Sequence, residues 1–230
     1  MPSVAGPLLV EALAGSRDHR DYTADAWMVH TRFATHGANN EKNAHPMRFG
    51  NITVMHNGVL SNDQMIRDYA ENDEPSWHPE GSREAADMVG NETDSLAIAM
   101  MLNYTGSDNE GVDLAGRVLS GTMRIAWVDE REKVSDALSP RIHLWSNTSD
   151  LWFAETENGN VVWASEKYIL EQAFGDFEPD DGGRKRGTIL KKGSIFPAQV
   201  GAHYVIDYDF GLINLGLCGE ISTDDKDAWK

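Results

Sequence analysis

Of 230 residues only one is cysteine, Cys218. That excludes an intrachain disulfide and any cysteine-rich zinc site. It also suits a reducing compartment, so a cytoplasmic location is expected. Long apolar runs are missing too. The longest, Leu96 to Leu102, is far short of the roughly 20 residues a membrane-spanning helix needs. The chain shows no basic stretch leading into an apolar secretion signal. The Asn-x-Ser/Thr matches at Asn51, Asn91, Asn103 and Asn147 are therefore read as coincidental. Positive charge is scarce: 20 Lys and Arg against 37 Asp and Glu give a net charge of −17. So acidic a body repels phosphate backbones, which argues against nucleic acid as a partner. The one basic cluster, Arg184-Lys185-Arg186, reads as a solvated loop.

Neither an internal repeat nor a Pro/Gly/Ser-rich linker interrupts the sequence, so one α+β domain over 1–230 is expected. Pro7 to Leu13 reads as a short helix and Ala26–Phe33 as a strand. Asn51–His56 reads as a second strand, stopped by a tight turn at Asn57-Gly58. Ser61 or Asn62 is placed to cap a helix running to Ala70, and Thr93 or Asp94 to cap one carrying Leu96, Ala97, Met100 and Met101. Between them, 71–91 reads as an inserted polar excursion. After Gly111 strands are expected at Thr122–Val128, Arg141–Trp145, Leu151–Ala154 and Val161–Ala164, the last two joined by a hairpin at Asn158-Gly159. Ser165 is expected to cap a short helix. Three more strands are expected near 188–197, 202–208 and 211–217, then a flexible tail over 223–230.

The chemistry is concentrated in 30–58, which holds four of the eight histidines. Arg32, at the end of an apolar strand, suits a carboxylate held by two parallel hydrogen bonds. Asn57 and Gly58 offer a side-chain amide and a backbone N–H, the elements of an oxyanion hole. Asp94, opening a helix, suits either the cap of that helix or a ligand ammonium. Together these describe a site for an α-amino acid with a reacting side-chain carbonyl. Each also has a bland reading: a turn, a cap, a surface ion pair.

Four segments, His30-Thr-Arg-Phe-Ala-Thr-His-Gly37, Asn43-Ala-His-Pro46, His56-Asn-Gly58 and Glu92-Thr-Asp-Ser95, resemble in sequence and order the glutaminase domain of class II glutamine amidotransferases. The likeness extends more loosely over about 26–205. It implies a four-layer αββα sandwich of the Ntn-hydrolase type. It also implies glutamine or glutamate as ligand, no cofactor, no metal, and a synthase or assembly partner or an oligomer. Carried over by motif, Arg32 holds the substrate carboxylate, supported by Thr35 and the main chain of His36. Asn57 and Gly58 form the oxyanion hole, Asp94 holds the α-ammonium, and His45 lies in the loop bordering the pocket. In that family an N-terminal cysteine attacks the amide and its own α-amine is the base. Here the chain begins Met1-Pro2-Ser3 and only 29 residues precede His30, so both the nucleophile and the first strand of the fold are expected to be missing.

The expectation is thus an amidotransferase-like domain that is impaired or inactive alone. Two alternatives stand beside it. One is a non-enzymatic assembly protein reusing the fold. The other is an active glutaminase completed by a strand on another chain or by Cys218, although an internal cysteine lacks the free α-amine. A metal site built from His30, His36, His45 and His56 is the chemical rival, but no His-Glu-x-x-His spacing supports it. Asp209-Phe210-Gly211 has none of the other kinase motifs around it and reads as a turn.

Overall fold

The computed structural model describes residues 28–30, 43–72, 93–132, 141–174, 190–207 and 210–218. Six strands form one fully antiparallel sheet: β1 (Met47–Phe49), β2 (Ile52–Leu60), β3 (Gly121–Asp129), β4 (Ile142–Ser146), β8 (Ala202–Asp207) and β9 (Gly211–Leu217), in the spatial order β1-β2-β3-β4-β8-β9. A second sheet has the order β6-β5-β7, from β5 (Trp152–Glu155), β6 (Val161–Ala164) and β7 (Phe196–Pro197). The helices are α1 (Asp63–Asn72), α2 (Ser95–Thr105), α3 (Asn109–Val118) and α4 (Lys167–Phe174).

Strand alternation separates the cores. Ile52, Val54 and Leu60 of β2 and Met123, Ile125 and Trp127 of β3 face α1, α2 and α3. Met55 and Ala126, on the opposite face, pack with Leu144, Phe153 and Tyr204 between the two sheets. Leu170 of α4 packs on Ala154 and Ala164, outside the smaller sheet. Helices, sheet, sheet and helix therefore stack as four layers, the αββα arrangement expected.

Helix α2 is apolar around its whole circumference and buried from Ser95 to Asn103. Such a helix belongs between other elements, and it packs against α1, α3, β1 and β2. Helix α3 was not expected. It carries Gly111 and Gly116, poor helix formers, yet Asp108 caps it by accepting from Gly111 N at 2.8 Å. Gly111 is needed for close packing, because a Cβ there would lie 2.4 Å from the Thr105 carbonyl.

Other boundaries differ from expectation for identifiable reasons. Strand β2 does not stop at Asn57-Gly58 but continues to Leu60, pairing Asn57 with Arg124 and Gly58 with Met123. An Asn-Gly hairpin turn needs positive φ at both residues, and among the described residues no non-glycine has it. Ser61 and Asn62 turn their side chains away from α1. Ser61 Oγ donates to Ser120 O, while Asn62 donates to Val118 O and accepts from Ser120 N. They clamp the β2–α1 corner onto the α3–β3 corner. Among the described residues of the strand expected near 188–197, which begin at 190, only Phe196–Pro197 is strand, with an isolated bridge between Leu190 and Thr156. The Asn158-Gly159 hairpin is present, closed by Gly159 N on Thr156 O. The expected helix over 7–13, the excursion beyond residue 72, the Arg184–Arg186 cluster, the tail and, apart from 28–30, the Ala26–Phe33 strand lie outside the described residues.

Candidate functional site

Asp94 opens α2 but does not cap it. Its own backbone is helical, with φ −59° and ψ −29°, and its carboxylate makes no capping hydrogen bond. Instead Oδ2 accepts from Leu60 N at 2.7 Å, tying the start of α2 to the end of β2. Oδ1 lies 3.3 Å from Ser95 Oγ and 4.0 Å from His56 Nδ1. The hydrogens here can be counted. His56 Nε2 is 3.2 Å from Thr122 O, an acceptor, so it carries the ring proton. Burial pushes the His56 pKa down, against the opposing pull of Asp94 and the Thr122 carbonyl, and the ring is neutral. Its Nδ1 is then an acceptor, and it competes with Asp94 Oδ1 for the single hydroxyl hydrogen of Ser95, 3.1 Å away. Oδ1 of Asp94 therefore accepts, from the described residues, at most the one Ser95 hydrogen that it shares with His56. No Lys or Arg among them lies in ion-pair range, although the side chain is only 9% exposed.

Asn57 is exposed, on the face of β2 opposite His56. Its Oδ1 accepts from Arg124 Nη1 at 3.3 Å and its Nδ2 donates to Ser165 Oγ at 3.0 Å. Arg124 is itself held by an ion pair with Asp150. Gly58, the next residue, has φ 149°. A Cβ there would meet Thr122 O at 1.9 Å and His56 Nε2 at 2.8 Å, so the backbones of β2 and β3 approach closely at this point. Asn57 and Leu60, where Asp94 is anchored, are three strand residues apart, roughly 10 Å. An extended glutamine measures about 6 Å from ammonium to side-chain carbonyl. With a hydrogen bond of about 3 Å at each end, it is of the same scale.

Arg32, Thr35 and His36 lie outside the described residues. His45 is described, and its ring lies tilted at 43° against that of His30 with centroids 4.3 Å apart. His56 belongs to the Asp94 cluster instead, so these three histidines do not form one centre. Among the described residues no group of three or more His, Cys, Asp or Glu is arranged to hold a metal ion. Ser165, expected as a helix cap, receives the Asn57 amide. Arg124 and Asp150 were not singled out in the sequence. The signal for Arg124 was present: one charged residue inside the apolar run of β3.

Cys218 follows β9, on the far side of β3, β4 and β8 from β2. It is 2% exposed and lies in the core beneath the helices. Its thiol donates to Asn109 O at 3.5 Å. Burial, and then the charge of Asp113, push its pKa up, which disfavours the thiolate that acts as a nucleophile.

A second buried polar group also escaped sequence reading. His203 Nδ1 is 2.8 Å from Asn109 Oδ1, and Asn109 is oriented by donating Nδ2 to Leu215 O. His203 Nε2 therefore accepts from His143 Nδ1 at 3.0 Å, and His143 Nε2 faces Glu132 at 2.9 Å. Trp127 stacks on both rings. This group sits near the α3 end of the sheet, away from Asn57.

No family model matches the chain. Part of it is similar to glutamine–fructose-6-phosphate aminotransferase of Vibrio vulnificus, 41% identical over 59 residues, which is 26% of this chain and 10% of that protein. The same enzyme of Aliivibrio fischeri is 29% identical over 127 residues, 54% of this chain and 19% of that protein. The chain thus spans a fifth or less of the length of the curated relatives it matches. Among solved structures, glutamine phosphoribosylpyrophosphate amidotransferase of B. subtilis, complexed with ADP and GMP, superposes with a TM-score of 0.52 at 17% identity, over 81% of this chain and 34% of that one. Among the described residues no helix is long and apolar enough to cross a membrane. The four-layer α+β architecture is similar to the Ntn amidotransferase fold, and the sequence is similar in part to glutamine-using aminotransferases.

Proposed function

We propose that this chain is a glutamine amidotransferase-like domain that binds an α-amino acid with a side-chain carbonyl, glutamine or glutamate, and does not hydrolyse the amide by itself. The observation that carries this reading is Asp94. A carboxylate removed from water is costly unless it is paired. Asp94 is nearly buried, its only close titratable neighbour among the described residues is a neutral histidine, and Oδ1 has there no more than a hydroxyl hydrogen shared with that histidine. A ligand ammonium supplies both the positive charge and further hydrogens for Oδ1. Asn57 projects from the other face of β2, but β1 covers the β2 edge only over Ile52–Val54. A ligand lying along the open edge from Leu60 to Asn57 therefore presents its side-chain carbonyl to Asn57 and Gly58, and Arg32 takes the α-carboxylate.

Hydrolysis needs a nucleophile as well as a polarised carbonyl. Cys218 is buried, neutral and separated from β2 by three strands, and it has no free α-amine. Binding and an oxyanion hole without the nucleophile retain roughly 10³–10⁴ over water, several orders of magnitude below a working enzyme.

The test is calorimetry with L-glutamine and L-glutamate, using wild type and Asp94→Asn. Asparagine still accepts from Leu60 N but has no charge. Wild type is expected to bind, and Asp94→Asn to bind at least about tenfold more weakly with its melting temperature little changed. Ammonia release from glutamine is expected to stay at background. Equal binding by both proteins refutes the ammonium role of Asp94, and ammonia release abolished by Cys218→Ala refutes the inactivity.

A further inference from the structure

We infer that Arg124 is a positioning residue that aims the Asn57 amide at the side-chain carbonyl of the ligand, a role that rests on the pocket proposed above. An asparagine amide has an acceptor end and a donor end with two hydrogens, and either end can occupy a given place. Arg124 removes that ambiguity. A guanidinium only donates, so Nη1 against Oδ1 at 3.3 Å fixes which end of Asn57 faces Arg124. Ser165 Oγ takes one Nδ2 hydrogen at 3.0 Å. With both ends held, the amide plane is set and the second Nδ2 hydrogen, which has no partner among the described residues, points in one direction. The positive charge on Oδ1 also polarises the amide and makes that N–H a better donor.

Two further observations support a dedicated role. Arg124 is anchored from behind by Asp150, so its own position is not left to chance. Its Nε is buried without a hydrogen-bond partner among the described residues. An unsatisfied buried donor is destabilising, and where a native structure keeps one the rest of the side chain has a purpose. On the inter-sheet face of β3, beside Ala126, an apolar residue would pack at no such cost. What Arg124 does there that an apolar residue does not is hold Asn57.

The test compares two ligands. L-Norvaline keeps the α-carboxylate and α-ammonium of L-glutamine but has a methyl group in place of the amide. Arg124→Met keeps most of the buried stem and removes every donor. It is expected to weaken L-glutamine about tenfold and leave L-norvaline within about twofold, because only glutamine presents a carbonyl to Asn57. Arg124→Lys, which retains one donor, is expected to recover part of the loss. Should Arg124→Met fail to fold, Asp150→Asn loosens the anchor without altering the apolar packing, and it is expected to lower glutamine affinity two- to fivefold, again sparing norvaline. Equal weakening of both ligands assigns Arg124 to general packing and overturns the inference, as does no change in either. Wild-type protein that binds neither amino acid refutes the pocket itself, and the role of Arg124 falls with it.

Discussion

Gly58→Ala is expected to be the most damaging single-methyl substitution at the site. The added Cβ would stand 1.9 Å from the Thr122 carbonyl oxygen, which belongs to the backbone of the paired strand and cannot rotate away. The φ of 149° is also one that a side chain rarely adopts. Relief requires β2 and β3 to separate over Asn57–Val59. That separation breaks the Asn57 to Arg124 contact and disturbs the hydrogen bond from His56 to Thr122. A cost of roughly 2–4 kcal/mol is expected from backbone strain combined with lost sheet pairing. Chemical denaturation should show it as a lowered midpoint, and glutamine binding should be lost even at temperatures where the variant is folded. A variant with wild-type stability would mean that the strands are farther apart than the structure places them.

Acid should destabilise this protein beginning near pH 6.5, above the range where carboxylates titrate. His203 is fully buried and stacked on Trp127, with His143, Asn109 and, beyond His143, Glu132 as its polar surroundings. Burial, followed by the charge of His143, lowers its pKa to about 3. His56 is lowered as well, chiefly by burial. A depressed histidine is neutral in the folded chain and takes up a proton only on unfolding. The unfolded state therefore binds more protons between the unperturbed value near 6.5 and about 3 for His203. Stability is undiminished above that window and falls as pH drops through it. Each such ring adds a slope of up to about 1.4 kcal/mol per pH unit. His203→Gln can still accept from His143 and donate to Asn109, but it does not titrate. Urea midpoints between pH 7 and 4 should fall less steeply for His203→Gln than for wild type. Parallel slopes would show that the ring is charged in the native state.

How much of this was legible beforehand depended on whether the signal was local. A helix carrying Leu96, Ala97, Met100 and Met101 was legible, and α2 is that helix, buried on every side. The alternation of β3 and the Asn158-Gly159 turn predicted their strands. Asn57-Gly58 misled, because a turn dipeptide and a strand residue that needs close backbone approach look identical until the neighbouring strand is known. Helix α3 was hidden by its glycines, whose use is clear only when Gly111 is seen against Thr105. Asp94 had two local readings, and the choice depended on Leu60 N, 34 residues away. The partners of Asn57 lie farther still, at separations of 67 residues for Arg124 and 108 for Ser165. His143 and His203, 60 residues apart, carry no motif at all. The motif residues could be read from spacing; the side chains that orient them could not, because their pairing is created by the sheet.

The central claim is that one small molecule bridges Asp94 and the Asn57-Gly58 corner. A crystal structure of the protein with L-glutamate bound tests it most directly. The expected density places the α-ammonium on Asp94 Oδ1 and a side-chain carboxylate oxygen within hydrogen-bond distance of Asn57 Nδ2 and Gly58 N. Glutamate bound elsewhere, or bound at Asp94 with its side chain turned away from Asn57, would contradict the account.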